Sequence, residues 1–445
     1  MKTGFSKICI TPPIGVPMRG YYEKRITKGI LDDLYATAVS FFDGEKRAII
    51  LAVDVCVMSN AQAIKARKQI SDTTGVDFDA IFINCSHTHT GPAIEADCLG
   101  EKTNCEYDSF FFEKLSEVTN KSLLDMKESS FYFGHGSADG ISFVRRYRMK
   151  NGSVQTNPGV GNPNIAHPLG TPDETVSYLK IERENAENIV FVNFGTHADT
   201  IGGEFISGDW PSFLCKTVEA VFENTKCVFL TGSQGDVNHI NPTPSENEKR
   251  GLDYNTFDGV PRGYEHAKYM GRKVAAAVIA GLDKAEHIDC NKITYGEKEL
   301  EFPSNQENEK ILDSKRILEL HASGKDVELK LEKMELTTLV AEAERIVSLK
   351  DGPEKFVYTV IALKIGDFVF AGLPGECFVD IGRTIKSKYG SKPIFVCCLT
   401  NGGDSYFPTS AAYDEGGYEA RSSELKKGGD KLLIEGFIQL LNELE

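Results

Sequence analysis

Continuous Val/Ile/Phe runs, each followed by a stretch with helical spacing, constrain this chain more than any other feature. "KRAIILAVDVCVMS" reads as a buried strand ending near Asp54, and "NAQAIKARKQISDTTG" as a helix closed by Gly75. "FDAIFINCSHTHTGP" is the next strand. Further on, "NIVFVNFGTHADT", the helix "WPSFLCKTVEAVFEN" and "KCVFLTGSQGDVNHINP" repeat the alternation. Strands without polar alternation are buried on both faces. The pattern therefore predicts an α/β fold with mixed sheets covered by helices.

Two segments break the alternation. Residues 144–174 are rich in Gly, Pro and Asn and read as a long loop, which inside a compact domain is usually functional or disordered. Residues 306–350 are highly charged with helical spacing and read as a peripheral helical excursion whose charges form a solvated face. The chain then returns to strand. "FVYTVIALKIGDFVFAGLPGECFVDIGRTIKSKYG" reads as a hairpin running through a tight turn into a helix. With no repeat or low-complexity tract in its 445 residues, we read residues 1–445 as a single large domain.

The charge balance excludes one class of function. A net charge of −15 argues against a general nucleic-acid binder, because phosphate binding relies on clustered Lys and Arg. No stretch approaches the ~20 apolar residues that span a bilayer. The opening "MKTGFSKICITPPIG" lacks the apolar core of a secretory signal, so a cytoplasmic protein is expected. Eleven cysteines occur without a CxxC pair. Neither the adjacent Cys397 and Cys398 nor Cys98 and Cys105 has a zinc or disulfide spacing, so reduced, mostly buried thiols are expected.

Polar groups gather at the C-terminal ends of the apolar runs, where open α/β sheets place ligands. "INCSHTHTGP" supplies His87 and His89, which an extended backbone would point to one face. "VNFGTHADT" supplies His197, "AGLPGE" Glu376, and "TGSQGDVNHINP" Asp236, Asn238 and His239. The Gly-rich "TNGGDSYFPTSAAYDEGGYEARSS" supplies Asn401, Tyr406, Tyr413 and Tyr418. Each has an ordinary alternative. A lone His197 fits a core histidine, Glu376 a helix start, and the tyrosines the edge of a core. Together, neutral imidazoles, a carboxylate and an open position are what a catalytic zinc needs.

These segments, in this order, resemble the neutral (non-lysosomal) ceramidases. The likeness rests on "SHTHTGP", a single His ending a later strand, "GDV" with Asn-Pro, "PGE", and Tyr406 twelve residues before the Tyr418 of "YEA". "ITPPIGVPMRGYY", "DVCVM" and "VRRYRMKNGSVQTNPG" also look like the shorter bacterial members, and the likeness runs from about residue 4 to about residue 425. The resemblance implies one zinc per chain, held by His87, His197, Glu376 and Tyr406. It implies His89 in proton transfer, with Tyr418 and Arg145 at the reacting carbonyl and the water. Asp236, Asn238 and Asn401 are the candidates for substrate contacts.

Two departures bear on substrate. Lipid amidases of that family carry a serine after "GDV", where this chain has Asn238, and an amide is no acyl-accepting nucleophile. Ceramidases also add an immunoglobulin-like C-terminal domain, which is not expected here. The expectation is a zinc-dependent hydrolase cleaving the carbon–nitrogen bond of an N-acyl compound, soluble or lipid-like, by zinc-activated water. A zinc-dependent esterase or lactonase is the alternative enzyme, and a non-catalytic zinc-containing binding protein the alternative of another class. Nothing in the sequence indicates a homo-oligomer.

Overall fold

β-branched and aromatic residues dominate the apolar runs, and in the computed structural model each run is a strand. The structure describes residues 1–96, 102–103, 105–256, 259–307, 309–329, 333–403 and 405–444. Cys98, remarked on above, lies outside them. Among the described residues the larger sheet has nine strands. They are β1 (Lys2–Cys9), β2 (Tyr35–Phe42), β3 (Arg47–Val53), β4 (Ile81–Cys85), β5 (Lys127–Ser137), β6 (Thr175–Arg183), β7 (Asn188–Phe194), β8 (Thr225–Thr231) and β9 (Glu286–Ile288). The order is β8-β7-β6-β5-β1-β2-β3-β4, with β9 pairing β5. Only β7/β8 and β3/β4 are parallel, so the sheet is mixed. A second sheet holds β10 (Ile293–Pro303), β11 (Lys355–Ile365), β12 (Phe368–Gly372) and β13 (Ile394–Cys397), the last pair parallel.

The helices are α1 (Asn60–Thr74), α2 (Cys105–Leu124), α3 (Asp209–Val221), α4 (Tyr264–Gly281), α5 (Ile311–Ala322), α6 (Lys333–Lys350), α7 (Val379–Tyr389), α8 (Ser410–Glu415), α9 (Tyr418–Ser422) and α10 (Gly429–Glu443). Helix α1 begins and ends where its sequence signals it. Ser59 and Gln62 form a reciprocal capping box, and Gly75 closes the helix at φ 71°. Losing such a cap costs about 1 kcal/mol.

Strand alternation assembles the layers. On β2, Ser40 meets Ser122 of α2 while its neighbour Phe41 points the other way, 6.2 Å from Phe370 of the second sheet. On β7, Phe194 meets Trp210 of α3, and Phe191 meets Phe370 at 5.4 Å. Helix α10 packs on the other face of β10 and β11. Each sheet thus carries helices on one face and the other sheet on its second face. The periodicity shows that both faces are buried; what covers each face is a tertiary outcome.

Segment 144–174 departs from the loop expectation. Arg146–Met149 pairs with both Val154–Thr156 and Ile165–Pro168 in a small antiparallel sheet. Its strands are short and separated by Gly/Pro/Asn turns, and the register shifts at Arg148/Met149, so no period-2 pattern survives. The 306–350 excursion is helical, as α5 and α6. Among the described residues no helix is long and apolar enough to cross a membrane, and nine cysteines are free.

The C-terminal ends of β4, β8 and β13 are tied together by polar groups. Thr231 of β8 accepts from Cys398 N on its carbonyl at 3.1 Å and donates its hydroxyl to Cys85 O at 2.7 Å. Its amide donates to Asn84 Oδ1 at 2.8 Å. The loops that follow these strands, and those after β7 and β12, therefore empty into one place.

Candidate metal centre and active site

Past the end of β4 the chain does not stay extended. His87 N donates to Val55 O and His87 takes φ 64°, so the imidazoles of His87 and His89 converge through a left-handed turn rather than through strand alternation. Their rings lie 4.7 Å apart and their Nε2 atoms 3.2 Å apart. Gly20 passes directly over His89, where a Cβ would stand 2.7 Å from the His89 Cα. His197 leaves the end of β7 fully buried, its ring 4.8 Å from that of His87. Glu376 arrives from the turn after β12. There Glu376–Cys377 pairs in parallel with Tyr406–Phe407, which sets Glu376 beside Tyr406. Gly235 lets this turn approach, since a Cβ there would stand 2.5 Å from Glu376 O.

The tautomers follow from the partners. His87 Nδ1 faces Cys56 O at 2.8 Å, and His197 Nδ1 faces Gln234 O and Val237 O at 3.0 and 2.9 Å. Carbonyls only accept, so both Nδ1 atoms carry the proton and both Nε2 lone pairs point inward. Glu376 Oε2 sits 3.4 Å from His87 Nε2 and 3.0 Å from His197 Nε2, buried and with no well-aligned hydrogen bond. Three acceptor atoms aimed at one point repel one another unless a cation or proton joins them. Carbonyl-anchored histidines with a carboxylate are the donor set of a zinc site, so these residues fit that metal. Cys56, His87 and His89 form a second, overlapping group of close donors.

The electrostatics match this crowding. Burial opposes charge on His87, but the Glu376 carboxylate outweighs it and holds the pKa well above the usual imidazole range. His89 is pushed well below that range by burial and by the charge of His87, and is neutral. Burial and the Arg145 guanidinium lower His197. Glu376 is held well below the carboxylate range because His87 and His197 together overcome its burial.

Arg145 lies between two short strands. Its amide donates to Asp236 O, and the neighbouring Phe143–Val144 pairs with Val237–Asn238. The guanidinium donates to Glu419 Oε1 at 2.7 Å, Gly235 O at 2.8 Å and the Tyr406 hydroxyl at 3.0 Å, and its Nη1 stands 3.1 Å from His197 Nε2, a contact that a metal bound at that lone pair would replace. The Tyr406 and Tyr418 rings stand 5.6 Å apart, and burial keeps both phenols protonated. Tyr418 donates to the hydroxyl of Tyr22 at 3.1 Å. The cluster opens onto a cleft of about 970 Å³ including its open mouth.

All seven residues expected at the metal and the reacting carbonyl are therefore brought together. The three expected at the substrate are absent from the residues that line the cleft, and their side chains are hydrogen-bonded within the protein. Asp236 Oδ1 accepts from Val379 N at the start of α7. Asn238 bonds Asn157 and Ile240 N. Asn401 bonds Ile83 N and Ile81 O of β4, fastening the cluster strand. His239 pairs with Asp199 and Pro261 O. Sequence reading missed Glu419, Tyr22 and Arg345. The "YEA" motif did contain Glu419 and "ITPPIGVPMRGYY" ended on Tyr22, but nothing marked Arg345.

Two mixed sheets packed face to face and flanked by helices, with a His/His/Glu centre at converging strand ends, define a two-sheet α/β scaffold. More particularly, the fold is neutral ceramidase-like. The neutral ceramidase from Pseudomonas aeruginosa superposes at a TM-score of 0.72 and 16% identity, over 100% of this chain and 75% of that one. A second solved structure, a ceramidase complexed with C2, gives 0.72 and 15% over 100% and 76%. No protein-family profile and no curated protein sequence matches the chain.

Proposed function

We propose that residues 1–445 form one catalytic unit, a zinc-dependent amidohydrolase that cleaves the carbon–nitrogen bond of an N-acyl compound. The observation that carries this reading is the convergence of two inward Nε2 lone pairs and the Glu376 carboxylate, with Arg145, Tyr406 and Tyr418 beside them. His87, His197, Glu376 and Tyr406 would hold one zinc per chain. When bound, zinc acidifies a water and polarises a carbonyl. Arg145, fixed through Glu419 and Gly235, directs its charge at the oxygen that gains negative charge, and Tyr418 donates to it. His89, neutral and half-buried against Tyr21, accepts the proton and passes it to the departing amine. The ceramidase fold and the free cysteines support an amide substrate and a reducing, cytoplasmic setting.

Metal content tests the site directly. His87→Ala and His197→Ala should each lose most of the zinc and nearly all activity. Full occupancy by elemental analysis in both variants would overturn the assignment. Because His89 Nε2 also faces His87 Nε2, His89 as a ligand is the second reading. Loss of zinc from His89→Ala would establish it.

A further inference from the structure

Helix α6 belongs to the charged excursion that the sequence reads as a solvated face, yet one of its faces is not solvated. Glu342 and Arg345 lie three positions apart and so share that face. Glu342 accepts from Arg421 Nε at 3.1 Å, which fastens α6 to α9, the helix that begins with Tyr418. Arg345 then reaches the cleft. Its Nη2 donates to the Tyr22 hydroxyl at 3.2 Å, placing the guanidinium two hydrogen bonds from the Tyr418 hydroxyl. Its Nη1 is buried and has no hydrogen-bond partner among the described residues. A guanidinium nitrogen stripped of water and left unpaired is costly, and an arriving carboxylate removes that cost.

The remaining walls favour the same ligand. Arg19 and Arg345 line the cleft against two carboxylates, Glu424 and Glu376, and Glu376 faces the histidine cluster. Among the described lining residues Val57 is the one aliphatic side chain, the other large ones being tyrosines with polar tips, so a long acyl chain finds little aliphatic wall to bury against.

We propose that Arg345 forms an anion subsite on the wall of this cleft. The amide substrate then carries a carboxylate within a few bonds of the scissile linkage, as in a short N-acylated amino acid. This rests on the amidase reading above. The planar two-pronged guanidinium matches a carboxylate, and an uncharged amide of the same shape leaves Nη1 unpaired.

Calorimetry on the full chain as purified tests the subsite without turnover. The probes are N-hexanesulfonylglycine and N-hexanesulfonylglycinamide, isosteres with no acyl carbonyl at the scissile position. The wild type should bind the carboxylate roughly 10- to 100-fold more tightly than the carboxamide. Arg345→Gln should abolish that ratio, and Arg345→Lys should restore only part of it. Equal binding by the wild type, or an unchanged ratio in Arg345→Gln, overturns the proposal. If the Gln variant does not fold, the wild-type ratio decides alone. Turnover of N-hexanoylglycine and N-hexanoylglycinamide separates the two readings. A retained binding preference with neither compound hydrolysed sinks the amidase reading and leaves the anion subsite standing.

Discussion

Glu419→Gln isolates the support beneath the proposed oxyanion group. Glu419 is 0% exposed, and its two oxygens serve different partners. Oε1 accepts from Arg145 Nε at 2.7 Å, while Oε2 accepts from Thr156 Oγ1 at 3.1 Å and lies 3.7 Å from Arg146 Nε. Glutamine keeps the shape but turns an amide NH₂ towards a donor on one side or the other. It also leaves buried guanidinium charge unanswered. Breaking a buried pair by neutralising one partner costs about 3–5 kcal/mol. Arg146 keeps Glu415 at 3.1 Å, which places the expected loss at the lower end of that range. Arg145 retains Gly235 O and Tyr406, so its head tilts rather than leaves. The expected fall in kcat is therefore below the ~10²–10³-fold of losing an oxyanion donor outright. Urea unfolding monitored at constant m reads the first quantity, and steady-state kinetics at matched zinc content the second. A stability change under about 1 kcal/mol with kcat intact would show that Glu419 does not hold Arg145 in place.

Two further outcomes separate roles that share one cluster. His89→Ala and Tyr418→Phe should retain zinc while kcat falls ~10²–10⁴-fold, and zinc analysis beside kcat distinguishes this from ligand loss. Asp209 gives a pH test away from the centre. Fully buried, it is pushed up to about 7, although the amides of Trp210 and Ile201 donate to it. The unfolded value is about 3.9, so the folded state binds the extra proton between the two. That stability is complete below about pH 4 and is lost as pH rises through about 7. Asp209→Asn, which also tolerates the φ of 56° at this position, should flatten the slope in that window, as read by urea midpoints across pH 4–8. An unchanged slope would show that Asp209 is ionised in the fold.

The alternation of apolar runs with helical stretches determined the α/β class, because burial on both faces leaves a run of Val, Ile and Phe that no solvated strand shows. The cap residues of α1 were equally legible, since Ser59, Gln62 and Gly75 act within a few residues of one another. The residues proposed for the metal and the carbonyl were legible as residue types at strand ends and, through their order, as a family resemblance. Only the tertiary structure decided what each does to the next. His87 turns through a left-handed residue held by Val55 O, a contact 32 positions away that no local pattern encodes. Asn238, Asp236 and Asn401 sit in motif-rich stretches, yet their polar atoms are taken up by backbone and side chains from distant segments. Arg345 shows the same limit in reverse. Its helix has the composition of a solvated face, and whether a charged side chain meets water or a cleft depends on what packs against it. The sequence of a helix carries its own spacing, but Tyr22 reaches Arg345 from hundreds of residues before and α9 reaches the neighbouring Glu342 from dozens after, through the closure of the whole chain.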